Sequence, residues 1–239
     1  MNFRICWRIL ISLFSVFSLQ AAETFYSQCG QDEFLYRTFF KGKTDGTFID
    51  IGAHDGVTYN NTYFFEKNLG WKGICIEPHP DVFNQLKNNR HCVCVEGCIY
   101  DKSATVKFLK VVSHIGEHTN MLSGILENYD DRHLMRVQSE ISEGKGACET
   151  IEVKCYKIND LLKQQGIKHI DYLSLDIEGG ELDVLKSIDY DAYEIDVIDV
   201  ENNYKTDEFE KFLTQKGFEK FKTLAWDDIY VRKGFKSNS

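Results

Sequence analysis

A chain of 239 residues is long enough for one sizeable domain, and 43% hydrophobic with 27% charged residues are globular proportions that exclude wholesale disorder. The net charge of -9 and the pI near 5.3 argue against the basic face on which nucleic-acid binding depends. The sequence contains no internal repeat or low-complexity tract.

Arg4 and Arg8 flank the apolar run at 9–19, which ends near Ala21 and Ala22. A positive flank, a short apolar core and small residues, in that order, form a secretory signal. The run is shorter than the ~20 residues of a membrane-spanning helix. Residues 1–22 therefore read as a signal peptide, with an uncleaved anchor that tethers the chain through residues 9–19 as the alternative. The first reading sends the domain into the secretory pathway or out of the cell; the second leaves it anchored at a membrane. Cys6 belongs to this segment. Cys75, Cys92 and Cys94 sit in apolar runs as small hydrophobes, and Cys148 and Cys155 flank a strand-like segment as candidates for a disulfide.

Past the signal, residues 27–40 (SQCGQDEFLYRTFF) form an amphipathic helix pattern. Strand and helix signals then alternate: a strand at 47–51, a helix at 61–70 stopped by Gly70, a strand at 72–77, and a helix at 80–89 opened by Pro80. Residues 92–97 form the third strand, and 104–111 alternate like a half-exposed one. The polar stretch 112–148, with His114, His118 and His133, reads as an insertion that covers the acceptor site. A further alternating segment spans 149–158, and a helix follows to 166. The segment 170–180 runs from strand into turn, 181–188 is a helix, 195–201 a strand and 207–217 a helix. FEKFKTL and DIYVRK close the chain as a hairpin. This alternation predicts an α/β fold with a mostly parallel sheet, helices on both faces and an antiparallel hairpin at one edge. Ligands in such folds bind at the carboxyl ends of the strands.

The first strand ends in Asp50-Ile51-Gly52-Ala53-His54-Asp55-Gly56. Gly52 and Gly56 provide a sharp turn and a bare backbone, but the third glycine of a dinucleotide fingerprint is missing. Asp50 and Asp55 would repel a pyrophosphate, so the ligand expected here is neutral or cationic, a description that S-adenosylmethionine fits. Glu77 ends the second strand where a carboxylate can accept from both ribose hydroxyls. Cys98 follows the third strand, where adenine would lie. Asp176 closes a later strand, Glu178 follows in its turn and Glu201 ends the next one, so the three acids can converge. Asp176 is the first candidate for a general base, Glu178 the second, and Glu201 a positioning group. The same acids with Asn202 could instead hold Mg²⁺ through oxygen, although no metal-ligand motif is present. His54 ranks below Asp176 as a base, and Glu181 reads as support for a helix N-terminus. Gln28, Gln31 and Asp32 are placed to close over the cofactor, with helix capping an equal explanation for Asp32.

The motifs SQCGQDEFL, FIDIGAHDG, NNTYFFEKNLGWKGICIEPHP and DYLSLDIEGGELDVL, taken in that order, resemble the FkbM-type methyltransferases across roughly residues 27–232. The resemblance implies the Rossmann-like class I methyltransferase fold with a seven-stranded sheet. It also implies methyl transfer from S-adenosylmethionine to oxygen, on a sugar, glycan, polyketide or similar small molecule. Carried onto this chain, it puts the methionine part of the cofactor near Asp50, Gly52 and Ala53, and the ribose on Glu77. Gly180 departs from the bulkier residue that many members carry. A reading from a different class keeps the fold as a catalytically silent exported or lumenal binding domain.

Overall fold

The computed structural model describes residues 23–112, 119–129, 131–144 and 146–236. The signal segment, His114 and His118 lie outside the described residues. Among the described residues, no helix is long and apolar enough to cross a membrane.

The main sheet begins with β1 (Thr47–Ile51), β2 (Lys72–Glu77) and β3 (Val93–Glu96). Two further strands follow, β4 (Cys98–Ile99) and β5 (Ala104–Val112), then β6 (Gly124–Ile125) and β7 (Ala147–Tyr156). The chain returns to the main sheet with β8 (His169–Leu175), β9 (Glu194–Glu201), β10 (Phe218–Leu224) and β11 (Asp227–Arg232). Seven strands lie in the order β10-β11-β9-β8-β1-β2-β3, parallel except for β11, which runs antiparallel to both β9 and β10 in the hairpin at one edge. This is the predicted α/β architecture, a mostly parallel sheet with an antiparallel strand from the closing hairpin.

Because side chains alternate along a strand, the sheet offers two faces. Ile49, Ile51, Leu173, Leu175, Ile198 and Val200 form one face. Helices α5 (Ile158–Gln164), α6 (Glu181–Ser187) and α7 (Glu208–Gln215) cover it through Leu162, Leu185 and Leu213. On the other face Phe48, Tyr172, Val197 and Ile229 meet α1 (Gln31–Leu35), the π-turn Tyr36–Phe40, α2 (Tyr63–Leu69) and α3 (Pro80–Asn89). Trp71, 2% exposed, lies against Gly46, where a Cβ would sit 2.4 Å from the indole. Each large side chain buried this way contributes about 1.5–3 kcal/mol.

This second face changes character along its length. In register across the strands, Phe48, Tyr172 and Val197 give way to Asp50, Ser174 and Asp199, then to Glu201 opposite Asp227, with Asp176 just past the end of β8. The apolar end packs the helices, and the acidic end opens at the carboxyl edge of the sheet. At the opposite edge, Asp171 and Asp196 gather His169 but are already paired with Lys43 and Arg232 respectively.

The described residues of the stretch 112–148 bury apolar side chains despite its polar composition. It holds β6, the start of β7 and the fourteen-residue helix α4 (Asp131–Gly144), whose Val137 packs on Leu109, Val111 and Leu122. β4, β7, β5 and β6 form a separate four-stranded sheet that roofs the carboxyl edge of the main one. The disulfide expected between Cys148 and Cys155 does not exist. Both residues lie on β7, seven positions apart, which an extended strand stretches to ~24 Å. Every described cysteine is a free thiol; Cys155 pairs in register with Cys98 instead.

Candidate cofactor and catalytic site

A cavity of about 360 Å³ lies between the carboxyl edge of the main sheet and the roof, within the ~300–1,000 Å³ range of small-molecule sites. It spans the switch point between β1 and β8, where the strand order reverses.

The glycine turn is held from below by backbone. Gly52 N and Ala53 N both donate to Ile76 O, at 3.0 and 3.1 Å. Gly52 has φ +89, and a Cβ there would lie 1.6 Å from the Asp176 carbonyl oxygen. Only glycine lets the β1 turn and the β8 turn approach this closely. Asp50 faces the cavity but commits its Oδ2 to Asn60 Nδ2 (2.8 Å) and Thr62 Oγ1 (2.6 Å), with the buried Arg90 guanidinium 3.9 Å away. It braces the loop as much as it faces a ligand.

Two sequence expectations fail at this turn. Asp55 points back into its own loop, accepting from Val57 N, Thr58 N and Thr58 Oγ1, so it does not screen ligands by charge. Gly56 packs against Leu86 and Arg90 of the α3 region and takes no part in the cavity lining. It is a packing glycine, because a Cβ would meet those side chains at 2.6 and 2.7 Å.

Glu77 ends β2 with its carboxylate on the cavity, accepting from His54 N (3.0 Å) and His79 N (2.7 Å). Burial pushes its pKa up to about 7, against the two backbone donors and the nearby His54. His54 reaches the roof, its Nε2 3.2 Å from Asn120 Oδ1. Burial alone would lower its pKa, but Asp55, Glu77 and Asn120 outweigh it and hold the imidazole above its ordinary value. Cys98 lines the same end of the cavity. Gly97, at φ +145, lets the chain step from β3 to β4 past the Lys154 carbonyl.

At the other end the three strand-end acids meet. Asp176, Glu178 and Glu201 place carboxylate oxygens within 4.8 Å of one another, and all three line the cavity. Glu178 occupies a left-handed conformation, φ +57. From there its Oε2 lies 3.4 Å from Arg136 Nη1 and 3.5 Å from His133 Nδ1, both on α4. Asn128 of the roof donates to Gly179 O at 3.2 Å, and its amide would lie 2.2 Å from a Cβ at Gly180. A side chain at Gly180, which has φ +95, would have to displace the Asn128 amide. Glu181, read from the sequence as support for a helix N-terminus, turns inward and accepts from Gly179 N and Ile177 N of the turn before α6.

Burial raises the pKa of Asp176 well above the carboxylate range, and the charges of Glu178, Asp227 and Glu181 add to it. Glu201 is raised by burial and then by Asp176 and Glu178. Glu178 rises to about 7 from burial, with Arg136 opposing. The unfolded chain releases these protons near pH 4 whereas the folded protein holds them to higher pH, so this cluster costs stability as pH rises above about 4. Glu201→Gln removes one of the repelling charges. Its melting temperature is expected to rise by about 2–8 °C at pH 8 and by much less at pH 4, close to where the unfolded carboxyl also takes up its proton; equal shifts at both pH values would contradict this account.

The structure therefore brings together on one cavity Asp50, Gly52, Ala53, Glu77, Cys98, Asp176, Glu178 and Glu201. Gln28 lines it as well, whereas Gln31 donates to Asp227 and Asp32 closes its own loop onto Tyr26 and Ser27. Sequence reasoning missed Asn61, Asn120, Arg136 and Trp226. None of them sits at a strand end or in a glycine turn, the two signals that located the others.

Residues 50–221 match the family model described as the methyltransferase FkbM domain. Methyltransferase sdnD of Sordaria araneosa is 27% identical over 162 residues, 62% of each chain, so the match spans about three-fifths of that relative's length. Among solved structures, the METTL16 methyltransferase domain is 14% identical with a TM-score of 0.41, covering 83% of this chain and 64% of that one. A human methyltransferase 10 domain containing protein is 15% identical with a TM-score of 0.37, covering 80% and 72%.

Proposed function

The chain belongs to the FkbM methyltransferase family, and from that membership we propose that it transfers a methyl group from S-adenosylmethionine to a hydroxyl oxygen of a sugar, glycan or similar small molecule. One observation carries the reading: the Gly52 turn with Glu77 and the acid trio with Asp176 face each other across a single cavity. A binding-only domain has no use for that pairing.

The cavity's chemistry fits the cofactor. Asn61 donates its Nδ2 to Ser174 Oγ at 3.1 Å while its buried Oδ1, on the cavity wall, has no partner. With Asp50 beside it, that oxygen suits an ammonium group. Glu77 suits a ribose diol, and Cys98, Ile99 and Phe108 offer an apolar slot for a purine. The bound cofactor would supply an electrophilic methyl on a sulfonium. The chain's own task is then to hold the acceptor oxygen in line with that methyl and to take its proton. Asp176, with its raised pKa, is the base; Glu201 lies within hydrogen-bonding reach of it and positions it.

Calorimetric titration of the full chain with S-adenosylmethionine tests the reading. Micromolar binding is expected, with Glu77→Ala weakening it at least tenfold. Affinity should rise as pH climbs from 6 through 7, by up to about tenfold per unit, because the ionised Glu77 carboxylate is the better acceptor and its pKa lies near 7. Absence of binding by folded protein would favour the silent binding domain. The 4.8 Å grouping of Asp176, Glu178 and Glu201 also suits a hard cation. Turnover lost on chelation and restored by Mg²⁺ would assign the trio to a metal, whereas turnover that survives chelation supports the base. The arginine-flanked segment at the N-terminus supports delivery to the secretory pathway or tethering at a membrane.

A further inference from the structure

The two ends of the cavity sit over different strands. Glu77 and Cys98 belong to the β2–β4 side, and Asp176, Glu201 and Trp226 to the β8, β9 and β11 side. Trp226, in the turn between β10 and β11, and Tyr59, in the loop after β1, both line the cavity although 37% and 42% exposed. Neither belongs to a hydrophobic core. Both are held in place. Tyr59 has φ +55 and forms a bridge to Ser27, while Trp226 follows Ala225 at φ +56 and its carbonyl accepts from Asn202 N at 2.8 Å. Two large, part-exposed aromatic side chains on the wall of one cavity, one from the loop after β1 and one from the β10–β11 turn, suit contact with a ligand.

We propose that Trp226 and Tyr59 are the stacking surfaces of the acceptor subsite and that they select a neutral pyranoside ring. The proposal rests on the methyltransferase reading, because a second substrate is needed only if a methyl leaves the cofactor. The electron-rich face of an aromatic ring attracts the polarised C–H groups on one side of a pyranose. The hydroxyls at the ring edge would then meet Gln28 and Asn203, whose amides both donate and accept and which line the same cavity. The floor decides the charge. Asp176, Glu178 and Glu201 on the same cavity disfavour phosphorylated or carboxylated acceptors and, with the net charge of -9, a nucleic acid.

The full chain carrying Trp7→Phe retains two tryptophans, Trp71, which is 2% exposed, and Trp226. With S-adenosylhomocysteine saturating, neutral methyl glycosides of common hexoses and 6-deoxyhexoses are titrated while tryptophan emission and heat are recorded. We expect a saturable emission change with at least one glycoside and none with hexose 6-phosphates. Trp226→Ala and Tyr59→Ala should weaken glycoside binding about tenfold or more with the affinity for S-adenosylhomocysteine unchanged within threefold. Trp226→Phe, which keeps a ring, should hold most of the affinity by heat. Failure of every neutral glycoside to bind the loaded protein, or glycoside binding indifferent to Trp226→Ala, overturns the proposal. Failure of S-adenosylhomocysteine itself to bind removes its premise, an outcome that the reference titration separates from the other two.

Discussion

Asp176→Asn is expected to lower the rate of methyl transfer by about 10²–10⁴ while the affinity for S-adenosylmethionine stays within threefold. The amide keeps the shape of the side chain at the end of β8 and removes the charge that would accept the acceptor's proton. Position and environment both point to this residue. Its carboxylate lies on the cavity floor within 4.8 Å of Glu178 and Glu201, and burial together with the charges of Glu178, Asp227 and Glu181 makes it a stronger base than a solvated aspartate. Single-turnover methyl transfer, with calorimetry on the same preparation, separates chemistry from binding. A variant that keeps a tenth or more of the parental rate would move the base elsewhere, with Glu178 next in line and His54, in the cofactor turn, after it. In the parent protein, the rate should rise with pH as Asp176 loses its proton.

Gly52→Ala should abolish cofactor binding, a loss of a hundredfold or more, and lower the melting temperature by about 5–10 °C. Two penalties combine. An L-residue at φ +89 costs about 1–2 kcal/mol, and the new methyl would sit 1.6 Å from a backbone carbonyl that cannot rotate away. The turn must therefore move off Asp176, taking the Gly52 and Ala53 amides with it. Gly217 gives the control, because it shares φ +89 but has nothing within 4 Å of its would-be Cβ. Gly217→Ala is expected to show the conformational penalty alone, with cofactor affinity unchanged. Equal behaviour of the two variants would refute the close approach as the reason for Gly52.

The strands that carry the site were readable because buried parallel strands leave continuous apolar runs with a polar residue at the end. TFIDI and KGICIE occupy β1 and β2 at the boundaries expected, and PDVFNQLKNN fills α3. The acids at 176, 178 and 201 followed from strand adjacency, which alternation of strand and helix implies. What the sequence could not supply was direction. Asp55 and Gly56 belong to the same motif as Gly52, yet one folds back on Val57 and Thr58 and the other packs on Arg90. A turn motif says that side chains are near a ligand, not which of them point at it. The roof was hidden for another reason. α4 buries little beyond Val137 and His133, so its polar majority conceals the helix. Asn120 and Trp226 reach the cavity from segments far apart in the chain, and only the fold brings them together.

The cavity's roof has hydrophobic clusters of its own, with Phe108, Val153 and Cys155 in one and Val111, Leu122 and Val137 in another, and Ile99 and Tyr156 tie the second sheet to the core of the main one. A substitution in the roof therefore loosens little of the scaffold that holds Gly52, Glu77 and Asp176. Polar contacts at the rim, Asn128 to Gly179 and Arg136 to Glu178, register one part on the other. For a lineage of such chains, the roof and rim are where new acceptors can be explored at low risk to folding, and the floor is where almost every change is lethal to activity. Divergence among relatives should be concentrated accordingly, with β4 to β7 drifting fast over a slowly changing sheet.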